Sequence, residues 1–461
     1  MARHGRPAGA PPAVPAARGG GGHRRARHAK KADQVYRSSF FVLAATATTA
    51  ALGFVFWVVV ARYYTPSEVG LATSLISATT LISYLSMFGL NSTLVRFPAD
   101  ESARNGQLTL AVVLVAGISC VVGAGYLLGL PLYGRKLMFV RDDPVAIAAF
   151  VLFCACASVN QLTKSIFVGS RMPQTNVLVD GLLQGAAKLA LPVALAGFGV
   201  FGVVGSTGGG YVVAALVALA VMHRRLGWRP DFRTRGTRLR EQFRFSLASY
   251  TSSLLNLLPQ LVLPLIVLHH LGAAAAGYYY VAFQIAALLN AVSFSVGEAL
   301  FAEASNDPSR FFVLLRRTAA IIAAVQVPAA LAVALGSGLL LRLFGAGYAG
   351  QARSLLVAYA VGALAVALNT WVAFALKLTG QLRNLVLGNV VYVLVTVGTA
   401  LRTAPRGLVW MGWSWGAGNL AAGLVGLVGL FWWRYRQRNP RRAAAGPPAA
   451  GSAAPTAEAV R

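Results

Sequence analysis

Twelve long apolar runs, joined by connections too short to fold as domains, leave this chain little choice of architecture. They fall at roughly 40–61, 69–91, 108–130, 145–168, 176–198, 201–222, 247–268, 277–301, 319–341, 354–376, 385–401 and 408–432. A bilayer core takes about 20 apolar residues of helix to cross. Inside lipid every backbone polar group must be satisfied internally, which leaves helices or closed barrels. Runs this long, without strict alternation, are helices. Composition agrees, with 57% of the 461 residues hydrophobic and 12% charged, against about 25% charged in an average soluble domain. The expected fold class is all-α, a polytopic membrane protein of about twelve transmembrane helices.

The formal net charge of +28 would point to nucleic acid if it were spread over the chain. It is concentrated in the two tails and one central loop, and basic flanks beside apolar spans set topology and meet anionic lipid headgroups. Membrane lipids are the partners expected, and nucleic acid is not. The first 38 residues are too long for the basic region of a signal peptide, and the run at 40–61 is long enough to span. Residues 1–38 and 435–461 read as disordered cytoplasmic tails. Cys120, Cys154 and Cys156 have no metal-site spacing and read as packing residues. No metal and no cofactor is expected.

Of the 41 lysines and arginines, placing the N-terminus in the cytoplasm leaves eight on outer connections: Arg62, Arg135, Lys136, Arg141, Arg342, Arg353, Arg402 and Arg406. Lys164 and Lys188 lie within spans, and the rest fall inside. The positive-inside rule then puts both termini in the cytoplasm. The most basic loop, 223–245, divides a six-span segment, 39–222, from a second, 246–434. A shift of 207 residues carries Gly70 onto Gly277, Leu81 onto Leu288 and Ser86 onto Ser293. "VGSRMPQTNVLV" before the fifth span likewise resembles "KLTGQLRNLVLG" before the eleventh. Two pseudo-symmetric six-helix bundles are expected, as parallel repeats about an axis along the membrane normal.

The hinge "ARYYTPSEVG" between the first two spans is built as a helix start. Thr65 suits the N-cap, Pro66 the first helical position and Glu68 the third, which completes a capping box. Tyr63 and Tyr64 suit the membrane–water interface.

The stretch from this hinge through the second span, residues 61–98, resembles the first hairpin of bacterial polysaccharide-biosynthesis membrane proteins. These are the oligosaccharide-lipid flippases of the multidrug/oligosaccharidyl-lipid/polysaccharide exporter superfamily. Pro66, Val69, Gly70, Leu71, Leu85, Gly89, Leu90 and Arg96 carry the likeness. Beyond the hairpin it rests on the twelve-span, two-bundle plan. The resemblance implies flipping of a polyprenyl-diphosphate-linked oligosaccharide across a bacterial cytoplasmic membrane, with glycan assembly enzymes as partners.

Ionisable residues inside a membrane are expensive and are functional suspects by default. On the fifth span Asp180, Gln184 and Lys188 recur every four residues, one polar stripe on an apolar helix. Asn160, Gln161 and Lys164 form a similar face on the fourth. Lysine ammonium groups suit a diphosphate headgroup, so Lys188, Lys164, Asp180, Gln184 and Asn160 are expected to line a substrate cavity between the two halves. A blander account has the lysines neutralising Asp180 or snorkelling to an interface. Arg96 would guide substrate at the cytoplasmic opening, although topology explains it equally well. Asp180 and Glu298 are candidates for ion coupling, and a boundary glutamate in contact with water is the plainer account of Glu298. Pro259, Pro264 and Pro328 would kink their helices, a device of rocking transporters and of static packing alike. No catalytic motif occurs and the outer loops are short, so no covalent chemistry is expected. Two rivals remain at this level: an H⁺- or Na⁺-coupled multidrug exporter, disfavoured by the scarcity of intramembrane acids, and a non-transporting scaffold recruiting partners through its basic tail.

Overall fold

The computed structural model of the chain describes residues 51–91, 94, 101–170, 172, 174–232, 239–306 and 311–438. Among them there is no strand, and twelve long helices follow one another in the expected order. They are α1 (Ala51–Tyr63), α2 (Pro66–Met87), α3 (Glu101–Tyr133), α4 (Pro144–Gly169), α5 (Gln174–Ala194) and α6 (Val200–Leu226). The second set is α7 (Leu239–Leu271), α8 (Ala273–Asn306), α9 (Phe311–Leu335), α10 (Arg353–Leu378), α11 (Leu382–Thr403) and α12 (Val409–Arg438). Eleven are long and apolar enough to cross a membrane, while the described part of α1 is shorter. The tail assigned to 1–38 lies outside the described residues, as does that assigned to 435–461 except for its first four residues, which continue α12 to Arg438 and so are helical. Both α7 prolines and Pro328 sit inside continuous helices. Helix α6 runs on to Leu226, a turn into the segment read as the central linker.

The hinge forms as its sequence dictates. Thr65 is the N-cap of α2, with its Oγ1 accepting from the Glu68 amide at 3.3 Å. Glu68 Oε2 accepts from the Thr65 amide at 2.8 Å, and Pro66 opens the helix. The two tyrosines part company. Tyr63 is exposed, as an interfacial residue should be, but Tyr64 is buried and donates its hydroxyl to the Pro192 carbonyl at 2.8 Å. Its phenol finds a free carbonyl within the protein, so it ties α5 to the hinge in place of joining an aromatic belt.

Helix α2 is the centre of the molecule. Its apolar window is 72% buried, against 22–50% for the other ten spans, and it packs on α3, α4, α6, α7 and α8. Lipid tails are as apolar as leucine, so what draws such helices together is close packing of small residues. At Gly70 a Cβ would strike the Ala273 carbonyl and lie 2.7 Å from the Gly277 amide nitrogen. At Gly277 a Cβ would strike the Pro66 carbonyl and lie 3.3 Å from the Gly70 nitrogen. Pro66 and Ala273 are separated by the same 207 residues as the two glycines. Each half thus offers the other the same surface, the signature of a two-fold contact. Ser86 and Ser293, matched by the same shift, are both fully buried.

Polar clasps join the halves at the end that carries the hinge. Arg62 donates from Nε to the Leu343 carbonyl at 2.9 Å and from Nη2 to that of Arg342 at 3.4 Å. Lys136 Nζ donates to the carbonyls of Leu268 at 2.8 Å and His269 at 3.2 Å, at the C-terminus of α7. At the end of α7 the lysine meets carbonyls left open by the last helical turn. Two basic residues on the side that the positive-inside count leaves poor in charge are therefore fasteners between bundles.

Gly277→Leu should abolish the monodisperse peak in size-exclusion chromatography after extraction. Gly125→Ala, where a Cβ meets nothing within 4 Å, should leave that peak intact or slightly raise the thermal midpoint.

Candidate functional site

A cavity of about 150 Å³ opens inside the first bundle, lined by residues of α2, α4, α5 and α6. The sequence led us to expect it between the halves, but the α2–α8 backbone contact closes that space where the glycines meet. The polar faces of α4 and α5 turn instead toward α2 and α6.

Helix α5 reaches this wall through an unusual stretch. Residues Val177–Gln184 wind as a π-helix between α-helical turns. Such segments occur chiefly at functional sites because they re-aim side chains without breaking the helix. Leu178, Leu182 and Leu183 stay exposed on the outer side, while the Gln184 side chain is buried at the cavity wall. Four residues on, Lys188 also faces the cavity.

The two lysines have different surroundings. Lys164 Nζ lies 3.4 Å from Asp180 Oδ1, with side-chain exposures of 38% and 15%. Asn160 Nδ2 donates to the same Asp180 oxygen at 3.0 Å. Asp180 therefore stands one bond behind the cavity and neutralises Lys164. Lys188 has no carboxylate within ion-pair distance among the described residues, and its ammonium sits 4.7 Å from the centroid of the Tyr211 ring. The cavity presents one ammonium that is spent and one that is free. Asn160 Oδ1 is buried without a hydrogen-bond partner.

Four of the expected residues, Asn160, Lys164, Gln184 and Lys188, meet on this wall together with Gln161, and Asp180 braces two of them. Arg96 lies outside the described residues, and so does the side chain of Glu298. Sequence reasoning missed Thr80, Ser83 and Tyr211. Thr80 and Ser83 donate within their own helix, to the carbonyls of Ile76 and Thr79, and turn acceptor oxygens to the cavity. Their spacing of three on an apolar helix was the available signal. Among the described residues no cluster of His, Cys, Asp or Glu could hold a metal ion, and the three cysteines are free.

The fold and this polar intramembrane cavity define a multi-pass membrane protein built on a transporter plan. A multidrug resistance MATE family transporter of the MOP superfamily, in an inward-facing conformation, superposes with a TM-score of 0.66 at 18% identity, over 86% of this chain and 96% of that one. The lipid II flippase MurJ, in an inward closed conformation, gives a TM-score of 0.70 at 11% identity, over 85% and 87%. A MOP superfamily transporter from Pyrococcus furiosus, described as having a binding pocket of reversed polarity, gives 0.55 at 16% identity, over 88% and 96%. No curated protein matches in sequence. A family model described as polysaccharide biosynthesis protein matches residues 35–301, and the chain belongs to that family.

Asp180→Asn removes the only carboxylate beside Lys164 among the described residues and should lower stability by about 1–3 kcal/mol, between the values for exposed and buried pairs. Adding Lys164→Gln should restore most of the loss. Thermal unfolding of the two variants and their combination in detergent measures the coupling.

Proposed function

We propose that this protein flips a polyprenyl-diphosphate-linked oligosaccharide across the cytoplasmic membrane for cell-envelope polysaccharide assembly. The observation that carries this reading is Lys188, a cation on the wall of an intramembrane cavity with no carboxylate at ion-pair distance among the described residues. An ammonium held in the membrane interior costs about 2.5–3.5 kcal/mol on insertion scales. A chain that keeps one unneutralised has a use for its charge, and an anionic headgroup is the natural counter-ion. Membership of a polysaccharide-biosynthesis family supports a glycan cargo, and the MurJ-like fold is compatible with a lipid-linked one.

In this mechanism the diphosphate docks on Lys188, the side-chain amides of Gln161 and Gln184 donate to its oxygens, and the Thr80 and Ser83 hydroxyl oxygens accept from the first sugar's hydroxyls. The lipid tail stays in the bilayer beside the exposed leucines of α5. Rocking of the bundles about the α2–α8 contact then exposes the headgroup to the other side, with no covalent step. Both termini lie in the cytoplasm, where the basic tails and central loop gather anionic headgroups before entry. Glycan assembly enzymes are the partners that supply and consume the cargo. Asp180 also offers a protonatable group in contact with Lys164, where proton binding would couple to transport.

A cation-exporting reading fares worse, because the carboxylate nearest the cavity is already paired with Lys164. Replacing both Lys188 and Lys164 by glutamine should reduce surface glycan at least tenfold in a complemented deletion strain, with protein abundance unchanged by immunoblot. Undiminished glycan display would remove the lysines from the mechanism. Drug accumulation in the deletion strain should match that of the parent.

A further inference from the structure

Three features converge on Lys188. Its ammonium lies over the face of Tyr211, 4.7 Å from the ring centroid. Its stem lies flat against α6 at Gly210, where a Cβ would fall 2.9 Å from Lys188 Cγ, 3.1 Å from Cε and 3.4 Å from Gln184 Cγ. No side chain fits at 210 unless the lysine moves. Tyr211, the very next residue, supplies the ring that the ammonium reaches.

The second bundle carries the same arrangement without the charge. A Cβ at Gly418 would strike Thr396 Oγ1, so Thr396 packs on Gly418 as Lys188 packs on Gly210. Twenty-two residues separate each pair. The residue after Gly418 is Asn419, which accepts from Asn369 at 3.0 Å and donates to the Trp415 carbonyl at 2.9 Å. Within one chain the glycine seat is present twice, while the lysine and the aromatic ring are kept together in one copy and absent together from the other.

We propose that Tyr211 is the positioning residue for Lys188, holding its ammonium at the cavity wall, charged and with its donors free, for an anionic phosphate group. This rests on the headgroup reading above and adds what makes the lysine usable. A carboxylate beside Lys188 would stabilise the ammonium by neutralising it, as Asp180 does for Lys164. An aromatic face attracts a desolvated cation, yet brings no formal negative charge and leaves N–H donors on the ammonium's far side open to the cavity. A lysine side chain also carries considerable rotamer entropy. Laid on glycine and ring, it has lost much of that freedom before the ligand arrives, which is how preorganisation strengthens binding.

The test uses the full chain in phosphatidylcholine nanodiscs, with farnesyl diphosphate as probe and affinity read by calorimetry. Lys188→Gln should weaken binding at least tenfold. Tyr211→Leu should weaken it about tenfold, Tyr211→Phe less than about threefold, and Gly210→Ala at least threefold by crowding the stem. In the Lys188→Gln background none of the three should have a further effect. An unchanged affinity in Tyr211→Leu, or an equal loss with and without Lys188, would overturn the positioning role while leaving the headgroup reading intact. Should Tyr211→Leu fail to fold, Gly210→Ala decides by the same two comparisons. An unaffected Lys188→Gln would overturn the headgroup reading itself.

Discussion

Helices in a bilayer gain nothing from hiding oil in oil, so close packing must hold them, and here the closest packing is backbone on backbone between α2 and α8. Gly70 and Gly277 let the two carbonyl-bearing helix starts meet without a side chain between them. Much else follows from that approach. It puts α2 at the core, and it presses the bundles together near the hinge. Arg62 and Lys136 are thereby brought within reach of carbonyls belonging to the opposite half. It also fills the space between the bundles where the glycines meet, and the polar cavity lies within the first bundle.

Much of this plan was legible in the residues. Length and apolarity gave the twelve helices because lipid forbids unsatisfied backbone. The capping box at Thr65–Glu68 formed because it needs only its own four residues. The 207-residue shift between Gly70 and Gly277, weak as identity, proved to be a physical contact between those very residues. What stayed hidden depends on distant partners. Tyr64 looked interfacial until the Pro192 carbonyl, 128 residues away, came to its hydroxyl. Position along the helix favoured Lys188 over Lys164, which lies nearer the inner end, but nothing local shows which of them meets a carboxylate. Only the juxtaposition of α4 with α5, and of α5 with α6, separates the neutralised one from the free one. Tyr211 escaped notice because an aromatic residue in an apolar helix carries no local mark of the cation above it.

Duplication followed by divergence explains the lopsided chemistry. The second bundle buries Tyr279, Tyr359, Tyr392 and Trp415, with ring centroids 5.9 Å apart between Tyr279 and Tyr359 and 5.2 Å apart between Tyr359 and Trp415. That bundle also packs α10 on α12 at Gly362 and Gly416, where each glycine's Cβ would approach the other's Cα within 3.3 Å. Among the described residues, then, the first bundle holds a polar cavity and the second is packed closely by rings and glycines.

The eight π-wound residues of α5 have a consequence of their own. Each of their hydrogen bonds closes a loop one residue longer than an α-helical one, so the segment holds surplus chain, like slack taken up in a screw thread. Rewinding it to the tighter pitch would shift the phase of everything downstream by about 100°, the angle of one α-helical residue. Lys188 would then leave the ring for the bilayer-facing flank. Its aim is thus fixed by the number of residues between Asn176 and Gly185, so one residue added or dropped there would disturb Lys188 even with Asp180 and Gln184 left in place.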